Sequence, residues 1–137
     1  MSETNKAFIR RFYEEVWNNH RADAAALFYA ADYLDHNESV PGQSAGSAGA
    51  EQVFSSFLAA FPDVHFTIDL QTAEGDLVTT RWTATGTNSG SLMGMPPTGR
   101  PVTVTGIDIF RVRDSTIVER WGSFDLAGML QQLGAGQ

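Results

Sequence analysis

The chain contains no cysteine. Disulfides, zinc–thiolate centres and thiol nucleophiles are excluded before any other residue is considered. It is also short of positive charge. Nine lysines and arginines stand against sixteen aspartates and glutamates, a formal net charge of −7, and the cations form no run. A nucleic-acid partner needs a positive face to meet phosphate, so none is expected. No apolar run is long enough to span a bilayer, and the opening Met-Ser-Glu-Thr-Asn-Lys lacks the apolar core of an export signal. No membrane association and a cytoplasmic location are the resulting expectations. The three histidines, His20, His36 and His65, lack ligand spacing, so no metal is expected. No serine sits on a strand-to-helix elbow, and the glycine-containing stretch 42–49 has no lysine for phosphate.

What is present is an apolar, aromatic chain. Apolar residues make up 42% of 137, enough for one domain, 1–137, with its own core. Phe8, Ile9, Phe12 and Val16 repeat at helical spacing, with Tyr13 and Trp17 on an adjoining stripe, which predicts a helix over 3–18. A shorter helix over 22–29, carrying Leu27 and Phe28 inward, leads to a brief extended piece over 33–37. Val53, Phe54, Phe57, Leu58 and Phe61 mark a third helix over 50–60, stopped by Pro62. The period then changes to two. Strands are predicted over 65–73, 77–87, 101–113 and 116–124. A loop with exposed-looking Leu92, Met93 and Met95 separates the middle pair. A short helix follows, capped by Asp125.

The oddest residue is Asp108, an acid among Ile107, Ile109 and Phe110 in a predicted central strand. Burying a carboxylate is costly unless it is paired, hydrogen-bonded or protonated. Its partner depends on the hairpin. A three-residue bulged loop at Asp114-Ser115 sets Asp108 facing Arg120, on one face with Phe110, Val118 and Gly122. A one-residue slip puts Trp121 opposite instead. Asp108 is thus either an acid/base group in a pocket or half of an ion pair with Arg120.

Several strings, in order, carry a resemblance: Tyr33-Leu-Asp-His-Asn37, Phe61-Pro-Asp63, Ala73-Glu-Gly-Asp76, Gly86-Thr-Asn-Ser-Gly90, Pro96-Pro-Thr-Gly99, Gly106-Ile-Asp-Ile-Phe-Arg111, Ile117-Val-Glu-Arg-Trp121 and Gln132-Leu-Gly134. Over nearly its whole length the chain resembles the SnoaL-like polyketide cyclases of the nuclear transport factor two superfamily. The resemblance implies an α+β cone, a strongly curved, mainly antiparallel sheet wrapped around N-terminal helices, with a short C-terminal helix. It also implies a cofactor-independent ring closure by acid/base chemistry. In such cyclases a histidine position falls on Asp108, a carboxylate position on Gly122, and the histidine after Gly86-Thr87 on Asn88. His36 matches the family pattern. A more distant comparison, with ketosteroid isomerase, aligns Tyr13 and Asp108 with oxyanion donors and the base with Asn37, leaving Asp35 as a candidate substitute.

Two readings follow. One is a cofactor-independent enzyme that moves protons on an apolar carbonyl compound by aldol-type cyclisation, isomerisation or dehydration. Asp108, His36 and Arg120 would act on the substrate. Tyr13, Trp17, Phe57, Trp82, Asn88, Met93, Met95, Phe110 and Gly122 would shape its cavity. The other is a small-ligand-binding module without a working acid/base pair, favoured by Gly122 and Asn88. In either case the outer sheet face, with Ile107 and Ile109, is expected to pack on a second copy as a homodimer.

Overall fold

A computed structural model describes residues 2–134. Residues 1 and 135–137 of the expected single domain lie outside the described residues. The first helix, α1 (Ser2–Phe12), runs directly into a π-helical turn, Tyr13–Asn18. The sequence explains the change. Phe8, Phe12 and Val16 repeat every four residues, as do Ile9, Tyr13 and Trp17, and all six are buried. At 3.6 residues per turn a period of four drifts by about 40° each turn. Widening the last turn keeps both rows turned inward, and Tyr13 and Trp17 stay on the core side.

A 3-10 helix (Ala22–Leu27) follows, then strand β1 (Tyr29–Asp35) and helix α2 (Gly46–Ala60). Strands β2 (His65–Glu74), β3 (Leu77–Thr87), β4 (Pro101–Arg113) and β5 (Thr116–Phe124) come next, and α3 (Leu126–Gln132) ends the fold. Asp125 caps α3 by accepting from the Gly128 N–H at 2.9 Å. The sheet order is β1-β5-β4-β3-β2, antiparallel except where β1 runs parallel to β5. Register breaks occur in β1 between Tyr29 and Leu34, in β2 between Ile68 and Leu70, and in the β4–β5 pair. Such breaks add local twist and bend a strand. The sheet therefore curls around α1 and α2, as the sequence predicted. Phe12 sits at the centre, 1% exposed, with the rings of Tyr13, Phe28, Tyr29, Phe54 and Phe110 around it at 4.9–5.9 Å.

Four local expectations are corrected. Leu27 points outward, 72% exposed, because the segment before β1 is a 3-10 helix, whose tighter winding turns Leu27 off the core face; Phe28 alone goes in. The first strand starts at Tyr29 and is longer than 33–37. Leu92 is 1% exposed, anchoring the loop between β3 and β4. The β4–β5 hairpin closes with a two-residue turn in which Asp114 and Ser115 both take positive φ, 52° and 54°. Those angles match the right-handed twist of the flanking strands. The irregularity lies farther in, between Arg111 and Val112 on one side and Glu119 and Ile117 on the other. It leaves Val118 as the extra residue and puts Ile117 on the core face in its place. Asp108 consequently stands opposite Gly122, and Arg120 opposite Phe110. The inward parity of Asp108, Phe110, Arg120 and Gly122 is as expected; the register is not.

Candidate functional site

On β4 the burial alternates, and Asp108 falls on the inward side, 6% exposed. Two donors crowd each of its oxygens. Oδ2 accepts from the Tyr13 hydroxyl at 2.5 Å and from the Trp82 indole N–H at 3.0 Å. Oδ1 accepts from Arg120 Nε at 3.1 Å, and Arg120 Nη2 lies 2.9 Å from the same oxygen. Arg120 does not stop there. Its Nη1 donates to Asp35 Oδ1 at 2.9 Å and to the Asn37 carbonyl at 3.0 Å. Asp35 also accepts from the Asn37 N–H at 3.1 Å and, on Oδ2, from Gln43 Nε2 at 2.9 Å. One guanidinium thus bridges two carboxylates, with side-chain exposures of 13% for Arg120, 8% for Asp35 and 9% for Asp108.

Two glycines make this cluster possible. A Cβ on Gly122 would stand 2.2 Å from Arg120 Nη2 and 2.7 Å from Asp108 Oδ1. The guanidinium occupies the space a side chain would take there. A Cβ on Gly106, opposite Trp82 in the β3–β4 pair, would strike the indole at 2.3 Å. Gly106 lets that ring lie flat enough for its N–H to reach Asp108.

The charges are held firmly. Burial disfavours the Arg120 cation, but Asp108 and Asp35 outweigh it and raise the guanidinium's pKa. Burial, reinforced by Asp108, pushes the Tyr13 phenol well above its ordinary value. Burial likewise raises Tyr29, helped by Tyr33, and Tyr33, helped by Asp35. All three phenols are neutral donors at any physiological pH.

The cluster lines a cavity of about 100 Å³, several times the roughly 10–15 Å³ that one water needs. Its walls are aromatic and aliphatic: Trp17 and Phe66, stacked at 4.7 Å, with Phe54, Phe57, Phe110 and Val104. Its ionisable lining residues, among those described, are Asp108, Arg120, Asp35, Tyr29 and Tyr33, and Ser39 and Thr85 add hydroxyls. Among the described residues the Tyr29 hydroxyl has no side-chain hydrogen-bond partner.

Of the residues singled out by sequence, the structure brings Asp108, Arg120, Trp17, Phe57, Trp82 and Phe110 to this cavity. Tyr13 and Gly122 touch Asp108 from behind it. His36 does not reach it. Asp35 and Asn37 turn towards Arg120, so strand alternation sends His36 to the outer face. There it bonds Glu119 Oε2 at 2.6 Å and stacks on Trp121 at 4.8 Å. Asn88 is buried but belongs to the loop. It accepts from Thr98 N and Oγ1 at 2.9 and 3.0 Å and donates to the Gly90 carbonyl at 2.8 Å. Met93, at φ 48° and 38% exposed, and Met95 lie in the same loop, away from the cavity wall. A tight turn, bridged by Leu92 and Met95, folds that loop on itself rather than over the mouth. Tyr29 escaped sequence reasoning because 22–29 read as a helix, and Tyr33, although placed in the extended piece, was not singled out because the strand before it was missed. Among the described residues no cluster of acids and histidines is built to hold a metal, and no helix is long and apolar enough to cross a membrane.

The chain matches the family model described as SnoaL-like polyketide cyclase over residues 7–133. No curated protein matches it. Among solved structures it is similar to IdmH from Streptomyces antibioticus, a candidate polyketide cyclase. The two are 36% identical over 95% of this chain and 98% of that one, with a TM-score of 0.79. TsrD from Streptomyces laurentii is 27% identical, covering 95% of this chain and 94% of that one, at TM-score 0.84. AclR from Streptomyces galilaeus, a candidate hydroxylase, is 26% identical over 98% of both chains, also at 0.84.

Proposed function

The chain belongs to the SnoaL-like polyketide cyclase family, and from that membership we propose that it is a cofactor-independent enzyme moving protons on an apolar carbonyl compound. The reaction would be an aldol-type cyclisation, an isomerisation or a dehydration. One observation supports this most: a carboxylate–guanidinium–carboxylate cluster lining a mostly apolar cavity. All three reactions begin by pulling a proton from the carbon beside a carbonyl, leaving an enolate. Its oxygen carries the developing charge. Arg120 and the neutral Tyr29 and Tyr33 phenols line the cavity where that oxygen would lie. Donors fixed in a dry site before the reaction stabilise such charge far better than water does. Asp108, gripped by Tyr13, Trp82 and Arg120, fixes the guanidinium. The aromatic wall supplies uniform binding for a flat or polycyclic body. On the outer face Ile107, 46% exposed, and its neighbour Ile109 favour a second copy of the chain as cover.

β-Tetralone is a suitable probe, since its benzylic hydrogens beside the ketone exchange with heavy water through an enolate. The wild-type protein should accelerate that exchange, read by proton resonance, in proportion to its concentration. Arg120→Met should cut the acceleration by about 100-fold, the effect of losing one oxyanion donor. Exchange no faster than in buffer would remove the enzymatic reading. A second reading is a non-catalytic binding module. Gly122 favours it, since no side chain stands there to move a proton. A protein that binds β-naphthol, the flat analogue of the tetralone's enol, yet exchanges nothing would be that module.

A further inference from the structure

The site holds two carboxylates, and they are not equivalent. Asp108 has both oxygens occupied by two donors each, none of them mobile solvent: a buried phenol, a buried indole and the guanidinium. A carboxylate accepts in about four directions, so no lone pair remains free for a substrate hydrogen. Among the described residues Asp35 is met by three well-placed donors, with the Tyr33 phenol close beside it. Asn37 N–H and Arg120 Nη1 share Oδ1, and Gln43 Nε2 meets Oδ2. The Tyr33 phenol, itself part of the cavity wall, stands beside the remaining acceptor direction, so a substrate hydrogen that displaces it reaches Asp35. Asp35 also occupies a distinct place in the fold, at the end of β1. It lines the apolar cavity on one side and, on the other, a second pocket of about 190 Å³ walled by Glu38, Gln43, Ser44 and Gly46. A catalytic base must meet the substrate, and to support exchange in heavy water it must also trade its proton with solvent. Asp35 is the carboxylate that touches both spaces; Asp108 lines only the first.

We propose that Asp35 is the catalytic base of this cavity, that the second pocket is where it exchanges its proton with solvent, and that Asp108 is a positioning residue acting through Arg120. The proposal rests on the proton-transfer reading above and specifies its chemistry. Asp35 Oδ2 takes the hydrogen beside the carbonyl as a proton. The C–H electron pair becomes the carbon–carbon double bond of the enolate, and the carbonyl π pair moves to oxygen. Arg120, shared between Asp35 and the bound oxygen, is drawn towards the new charge as Asp35 loses its own. Asp35 then returns its proton by one of three routes: to the oxygen of a second carbonyl of the same molecule, whose π pair moves to that oxygen as the enolate carbon attacks, to another carbon of the enolate, or to a hydroxyl group that the enolate expels as water. Each route balances without an oxidant, reductant or metal.

The test uses β-tetralone exchange in heavy water with three variants, and β-naphthol quenching of Trp17 and Trp82 fluorescence to report an intact cavity. Asp35→Asn should bind β-naphthol within threefold of wild type and lose about 100-fold or more in exchange, the effect of removing a general base. Formate should restore part of the activity to Asp35→Ala, by filling the vacated carboxylate position, and should restore none to Asp108→Ala. Should Asp35→Asn fail to bind β-naphthol, Asp35→Glu decides. It keeps the charge but displaces the oxygen by one methylene, and exchange should fall at least tenfold. Asp35→Asn or Asp35→Glu with more than a third of wild-type exchange overturns the assignment while leaving the enzymatic reading standing. So does formate rescue of Asp108→Ala, or its failure on Asp35→Ala. A wild-type protein without exchange overturns both.

Discussion

Gly122→Ala offers the sharpest physical test of the cluster. The backbone at Gly122 lies outside the left-handed region, so alanine is conformationally acceptable there. In an ordinary strand the change would stabilise the protein by about 0.4–1 kcal/mol, because alanine restricts the unfolded chain. Here the new methyl would stand 2.2 Å from Arg120 Nη2, 2.5 Å from Arg120 Cζ and 2.7 Å from Asp108 Oδ1. Arg120 can retreat only by giving up its hold on Asp108, while Nη1 keeps Asp35 and the Asn37 carbonyl. One charge-assisted contact is lost, at about 1.5–3 kcal/mol. The net result is a destabilisation of about 1–2 kcal/mol. In thermal unfolding followed by circular dichroism, that lowers the midpoint by roughly 3–8 °C for a chain of this size. β-Naphthol affinity should fall with it. A variant as stable as wild type, or more stable, would refute the reasoning. The guanidinium would then not need the space that glycine leaves.

Two further outcomes are expected. Asn88→Ala removes the acceptor of Thr98 and the donor to Gly90, costing about 2–3 kcal/mol. Limited proteolysis should then cut within 89–97 much faster, while β-naphthol binding changes little. On the outer face, bonds from His36 and Arg111 hold the Glu119 carboxyl below its ordinary value of 4.5, and bonds from Arg111 and Arg113 hold Asp76 below 3.8. Both are lower in the folded state, so their contribution is complete above those ordinary values and drains away as pH falls through the lowered folded ones. The urea midpoint should therefore decline below about pH 4.5, and Glu119→Gln should flatten the decline. An identical slope in the variant would exclude Glu119 as a source.

The strands and the third helix were legible because long alternating or helical runs leave little ambiguity. The inward parity of Asp108 and Arg120 followed from the same alternation. The register did not. Asp-Ser supports two turn lengths, and only the positive φ of both residues selects the shorter one. His36 was misread for a related reason. Its string matched a family pattern, but which neighbour of a strand residue faces inward depends on where the strand begins, and Tyr29 was assigned to a helix. Met93 and Met95 looked like a lid because a loop's composition does not reveal that Leu92 is buried and ties it down. The network that joins Asp35 to Asp108 was invisible for a deeper reason. It is made by strands at opposite ends of the sequence, paired in parallel, and no local pattern encodes that meeting.

The proposed chemistry requires the polar residues of the cavity to hold an oxygen bearing negative charge. A crystal structure with β-naphthol measures this directly. The rings are expected between Trp17, Phe54 and Phe110, with the hydroxyl oxygen within hydrogen-bond distance of Arg120 or the Tyr29 phenol. A naphthol bound with its oxygen away from these polar residues, or only on the outer sheet face, would contradict that chemistry.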